Sequence, residues 1–322
     1  MEKNLIVTAS DTASPSTLVD RVAQYARTGL EGAVNTQRAY RADLSHFHQW
    51  CDEQGLLDLP AQPATIAAYA AHLADTCKWS TLTRKLAAIS KLHQVRGFDS
   101  PTTDKQVKIV LEGIKRTKGI RQKQAPAFTL HRLKTLLRSM ETESMAGLRN
   151  KALLLLGFTG AFRRSELVAL NVEDLSFTEE GLIVSMGRSK TNQYGDHEEK
   201  AIYYSPEVAL CPIRTLQAWV GKLGTDPGSA GPNPLFVRVR KGDQLTADRL
   251  TDKTVDDLVK RYVGPSYSAH SLRASFVTIA KLNGADDSEV MRQTKHKTTL
   301  MIQKYTRLEN IRQHNAAMKL GL

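Results

Sequence analysis

Between His270 and Tyr305 the chain sets out, in order, His270, Arg273, His296 and Tyr305. A phenol, with a pKa of about 10, is a poor nucleophile unless cations surround it. HSLR spaces His270 and Arg273 three positions apart, which on a helix turns both side chains to one face. At a helix start the backbone dipole would reinforce an anion bound there. GAFRRSEL supplies another cation, Arg163, with Glu166 three residues on. A buried carboxylate in that position would hold the guanidinium for bidentate phosphate contact. Neighbouring helical positions diverge by about 100°, so only one of Arg163 and Arg164 can turn inward. Lys190, in GRSKTN, falls at the end of an expected strand. A loop lysine among other cations gives up its proton more readily and suits a proton donor. Each of these alone also fits surface polar residues or an ordinary ion pair.

The elements that must position these groups follow from composition and pattern. The chain has 322 residues, 41% of them hydrophobic, which is enough for two domains with real cores. A formal net charge of +12 and a pI of about 9.6 call for an acidic partner, nucleic acid before anionic membrane. The longest apolar run, KALLLLGF from Lys151, is far short of the roughly 20 residues that span a bilayer, and reads as a buried helix. No secretory signal is evident at the N-terminus. Cys51, Cys77 and Cys211 are widely spaced and form no ligand motif. They read as reduced, structural thiols in a cytoplasmic protein.

Residues 1–15 read as a flexible, polar N-terminus, and residues 16–119 as a helical domain. Asn35 and Thr36 can cap a helix with an apolar stripe of Tyr40, Leu44, Phe47, Trp50 and Cys51. Pro63 opens the next helix, Ser80 can cap a third that ends at Gly97, and Asp104 to Lys118 forms a basic amphipathic one. Residues 120–127 read as a basic linker, the end of a Lys- and Arg-rich stretch beginning at Lys115. Residues 128–322 read as a second, mostly helical domain with one small sheet. Its strands are GLIVSMGRSK and EEKAIYYS, and its helices include 130–140, 146–157, 207–222, 248–262, 270–283, 287–294 and 299–305.

Taken in order, Arg163, Lys190, His270, Arg273, His296 and Tyr305 resemble the active-site set of the tyrosine recombinase (phage integrase) family. Arg-x-Ser-Glu, the hairpin lysine, H-x-x-R and a histidine nine residues before the tyrosine all have counterparts here. The segments APAF and LFVRVRKG look particularly like its Cre-like members. The resemblance implies a mainly α protein: an N-terminal helical core-binding domain followed by an α+β catalytic domain with a small antiparallel sheet. It also implies strand cleavage through a 3′-phosphotyrosine on Tyr305 and passage through a Holliday junction. In that reaction Arg163, Arg273 and His296 would hold the phosphate, His270 would be the base and Lys190 the acid. Glu166 would support Arg163. No cofactor and no metal are expected.

By the same resemblance Arg38, Arg41, Arg84, Lys85 and Lys253 would contact DNA. The expected partner is double-stranded DNA carrying an inverted-repeat target site. The working form would be a homotetramer on two paired sites, with no membrane involved and a cytoplasmic, nucleoid-associated location. The short tail after Tyr305 would dock on a neighbouring protomer. Two rival readings share the chemistry or the fold: a type IB topoisomerase, and a DNA-binding regulator without catalysis.

Overall fold

The computed structural model describes residues 34–120, 124–187, 198–224, 232–296 and 298–302. They divide between Lys123 and Gln124 into two compact units. The first contains α1 (Val34–Gln54), α2 (Pro63–Thr76), α3 (Trp79–Val95) and α4 (Lys105–Lys118). Phe47 and Cys51 of α1 meet Ile66, Tyr69 and Leu73 of α2, with Leu82 and Ile89 of α3 and Val107 of α4 completing the core. Fully burying such side chains stabilises by about 1.5–3 kcal/mol each. Asn35 and Thr36 lie inside α1, so they do not cap it; burial of Phe47, Trp50 and Cys51 fixes that helix. Ser80 is likewise one residue inside α3, because the helix begins at Trp79, which packs on the core. Pro63 does open α2, and Asp104 caps α4 by accepting from the Gln106 amide at 2.7 Å.

The second unit runs α5 (Leu130–Ser139), α6 (Met145–Thr159), α7 (Arg164–Ala169), β1 (Leu175–Phe177), β2 (Gly181–Met186), β3 (Glu198–Tyr203), α8 (Pro212–Leu223), β4 (Val237–Arg240), β5 (Gln244–Arg249), α9 (Asp252–Tyr262), α10 (Ala269–Leu282) and α11 (Asp287–Thr294). Residues 299–302 are again helical. α6 is buried on every face from Gly147 to Gly157, so the apolar run at its centre is a core helix. It packs chiefly against α8, whose Trp219 is wholly buried and donates Nε1–H to the Leu235 carbonyl at 2.7 Å.

β1, β2 and β3 form an antiparallel sheet in that order, with Leu182 opposite Ile202 and Val184 opposite Lys200. Where the sequence leads to one sheet, the described residues form two, since β4 and β5 pair as a separate hairpin. That hairpin also moves the start of the helix expected at residue 248 to Asp252, where the Thr251 hydroxyl caps it. Cys51 and Cys211 are buried, Cys77 is partly so, and all three are free thiols. Among the described residues no helix is long and apolar enough to cross a membrane.

Candidate active site

The turn between α6 and α7, residues 160–163, lies at the centre of the site. Gly160 is required there, because a Cβ would stand 2.1 Å from the Phe162 ring. Ala161 follows with φ +47, a left-handed conformation that a residue with a Cβ adopts only when its surroundings hold it. The Ala161 carbonyl accepts from Arg273 Nη1 at 2.8 Å, and the Thr294 carbonyl accepts from Nη2 of the same guanidinium. Arg273 is 1% exposed, so this cation is held by main-chain dipoles deep in the unit.

Arg163 ends the turn and precedes α7. Its backbone N–H donates to Glu166 Oε2 at 2.9 Å, while its Nη1 pairs with Glu166 Oε1. One carboxylate therefore closes the helix N-terminus and fixes the guanidinium. Arg163 turns inward with its side chain 21% exposed. Arg164 turns out at 52% and meets Asp252 at 3.1 Å. Burial pushes the Glu166 carboxyl up, but Arg163 and Lys200 more than reverse that and hold it below the ordinary carboxylate range.

His270 and Arg273 stand on the first turns of α10. His270 keeps an exposed side, yet its basicity is lowered, first by loss of surrounding water and then by Arg273 and Arg163. The α10 N-terminus is not fully open to an anion. The Asp256 carboxylate already accepts from the Ala269 N–H at 2.9 Å, and the Ser271 hydroxyl accepts from Ser268 at 3.1 Å.

His296 follows α11 and is 5% exposed. Its pKa is pushed down to about 3 by burial, then by Arg273, Arg163, His270 and Lys200. The ring is thus neutral at working pH, and its neighbour sets the tautomer. The Thr294 hydroxyl donates to the Val290 carbonyl at 2.6 Å, so its oxygen is left to accept from His296 Nδ1 at 3.0 Å. That leaves Nε2 as an acceptor in the free protein. Donation to a phosphate needs a second proton on the ring, which a bound anion would favour.

Sequence reading passed over Lys200. It lies on β3, is 2% exposed, donates to the Gly160 carbonyl at 2.6 Å and sits 4.3 Å from the Phe162 ring centroid. Burial brings its pKa down to about 7; Glu166 opposes that shift, and Arg273, Arg163 and Lys295 add to it. Strand alternation was the available signal, since Lys200 is in phase with buried Ile202. Gln293 makes a similar stitch, donating to the Thr159 and Ala201 carbonyls at 3.0 and 3.1 Å.

The structure therefore gathers Arg163, Glu166, His270, Arg273 and His296 around one turn. Lys190, Tyr305 and the tail after it lie outside the described residues. Of the surface cations, Arg38, Arg41 and Lys253 are exposed. Arg84 is half-exposed with Nη1 3.1 Å from Asp43. Lys85 is corrected: it is 7% exposed and its ammonium faces Asp43 at 3.6 Å, so it ties α3 to α1 from the inside. Successive helical positions diverge by about 100°, which here leaves Arg84 outside and turns Lys85 inward.

Comparison with known proteins agrees in both units. Residues 126–312 match the Phage integrase family, and residues 23–96 match the phage integrase N-terminal SAM-like domain. An integrase/recombinase xerD homolog of Selenomonas ruminantium is 38% identical, over 94% of this chain and 90% of that protein. Tyrosine recombinase XerC of Syntrophus aciditrophicus is 26% identical, over 85% and 87%. The fold resembles XerH site-specific recombinase bound to a palindromic difH substrate, with TM-score 0.65 and 17% identity over 92% of this chain and 82% of that one. It also resembles the Tn1549 transposon integrase in complex with transposon end DNA, with TM-score 0.61 and 16% identity over 88% and 92%.

Proposed function

The chain belongs to the phage integrase family of tyrosine recombinases, and on that premise we propose that it is a site-specific DNA recombinase acting through a 3′-phosphotyrosine on Tyr305. The observation that carries this reading is the convergence of Arg163, Arg273, His270 and His296 on one turn, with Glu166 already engaged by Arg163.

Attack on a phosphodiester concentrates negative charge on the two non-bridging oxygens. Arg163 and Arg273 are the groups to meet them, since guanidinium stays charged and presents a planar fork. Prepositioned donors of this kind usually supply the largest catalytic term. The Tyr305 oxygen forms the new bond to phosphorus as the bond from phosphorus to O5′ breaks. His270, kept neutral by its surroundings, takes the phenol proton, and Lys190 supplies one to O5′. An ester replaces an ester, so the reverse step can rejoin the phosphate to a different 5′-hydroxyl without ATP.

DNA would be engaged by Arg38, Arg41, Arg84 and Lys253, with phosphate contacts dominating affinity. We assign a homotetramer on two paired inverted-repeat sites as the working form, passing through a Holliday junction, at the nucleoid in the cytoplasm. The palindromic substrate of the XerH complex supports the inverted repeat.

The test is capture of protein–DNA adducts that survive boiling in detergent, from fragmented source DNA, beside a Tyr305→Phe variant. Adducts in the wild type alone, at one inverted repeat, are expected. Adducts that persist in the Phe variant would overturn Tyr305. Scattered adducts would mark a topoisomerase, and tight binding without adducts a regulator.

A further inference from the structure

Lys200 is buried among the groups assigned above, yet the reaction as written gives it no task. Its ammonium meets a carbonyl oxygen and an aromatic face, which hold a cation without cancelling its charge. Those two partners, Gly160 and Phe162, flank the residue whose carbonyl orients Arg273, and Phe162 directly precedes Arg163. Gln293 ties the same end of α6 to the next residue of β3, Ala201. The edge strand, the turn and the end of α11 are thus stitched together around the site.

Resting on the recombinase reading, we propose that Lys200 is a positioning residue for strand cleavage. Through Gly160 and Phe162 it fixes the 160–163 turn so that Arg163 and Arg273 close on one phosphate, and its charge backs Glu166. Among the described residues, the charged groups acting on it are Glu166 on α7, Arg163 at the start of that helix, Arg273 on α10 and Lys295 after α11. His296 lies in its field as well. With a pKa brought down to about 7, its charge changes within the range where cleavage can be followed.

The experiment uses the full chain and the target site recovered from wild-type adducts, nicked so that cleavage is irreversible. Lys200→Met is expected to bind DNA within a few-fold of wild type and to cleave about 100-fold more slowly near pH 6.5, since a small misplacement of clamping groups costs that much. At limiting DNA the rate reports ionisation of the free protein. There the ratio of wild-type to variant rates should shrink as pH rises through about 7. A substrate with sulfur in place of the 5′-bridging oxygen needs no proton on its leaving group, so it should rescue Lys190→Ala and leave Lys200→Met slow.

Equal rates in wild type and variant would overturn the proposal, as would a ratio that stays flat with pH, the mark of a mere strut. Rescue of Lys200→Met by the sulfur substrate would make Lys200 the acid itself, and would also overturn it. If the Met variant does not fold, Lys200→Gln keeps a donor for Gly160 without the charge and is read against the same outcomes. A wild type that forms no adduct at all would sink the recombinase reading, and this one with it, before any Lys200 variant is compared.

Discussion

In the first unit the buried ammonium of Lys85 faces the Asp43 carboxylate at 3.6 Å, and Arg84 reaches the same carboxylate at 3.1 Å. In the second, Lys200 is equally hidden but meets a carbonyl oxygen and a ring, with the Glu166 carboxylate nearby and Arg163, Arg273 and Lys295 around it. The first arrangement answers the charge with a full opposite charge and joins two helices. The second answers it at contact distance with partial charges and shares one carboxylate, Glu166, among several cations, so positive charge accumulates. Arg273 follows the second pattern too, since its Nη atoms go to the Ala161 and Thr294 carbonyls. Accumulated cations destabilise a fold, and the natural reason to retain them is an anionic substrate that completes the site.

The largest expected effect strikes the cationic region. Arg163→Lys keeps the charge and loses the fork held by Glu166, so single-turnover cleavage should fall roughly 10²–10³-fold, equivalent to about 3–4 kcal/mol. Gel-shift affinity for the same site should change little. An equal loss in both assays would show that the arginine only binds.

Asp43→Asn attacks the neutralised region. It strands the Lys85 ammonium in the interior, and denaturant unfolding should show a loss of about 3 kcal/mol. Adduct formation by the folded fraction should survive. Lys85→Met, which leaves Asp43 with Arg84, should cost less; the opposite ranking would mean that the pair is not what holds α1 to α3.

Gly160→Ala forces a methyl group to within 2.1 Å of the Phe162 ring, at a cost of about 1–3 kcal/mol. Cleavage should suffer more than thermal stability does, because Arg273 and Lys200 both bond to that turn.

The smallest effect, taken per pH unit, concerns the charge of Lys200. Lys200 has a folded pKa of about 7, well below the ordinary lysine value of 10.5, so the unfolded chain binds more protons between those two values. Its contribution therefore makes stability rise with pH from about 7 to about 10.5, by at most about 1.4 kcal/mol per pH unit. Lys200→Met should flatten that rise in melting curves taken across the window. No such difference between wild type and variant would place Lys200 in water.

The parts of this contrast that sequence could disclose are those built on periodicity and spacing. α6 and the sheet of β2 and β3 were legible because apolar period and length left few alternatives. The gathering of Arg163 with His270 and Arg273 was legible as a set of types in order, although the turn that joins them was not. Lys85 and Lys200 were misread or missed for one physical reason. A lysine is normally solvated, and only tertiary packing showed these two to be enclosed. The β4–β5 hairpin was missed because alternating Val237, Arg238, Val239 and Arg240 carry a strand signal too short to stand against the helix that follows.

One feature of the core also bears on how the protein is made. α6 is buried on every face and carries the run Ala152–Leu156, and its chief cover, α8, begins at Pro212, some 50 residues after α6 ends at Thr159. At about 5–20 residues per second the ribosome leaves this helix without that cover for roughly 3–10 s. Chains released early, before Trp219 is in place, would leave the leucine-rich half of this helix open to solvent. Their fate is to be held by chaperones or to clump, so the yield of whole enzyme should be unusually sensitive to truncation in that interval.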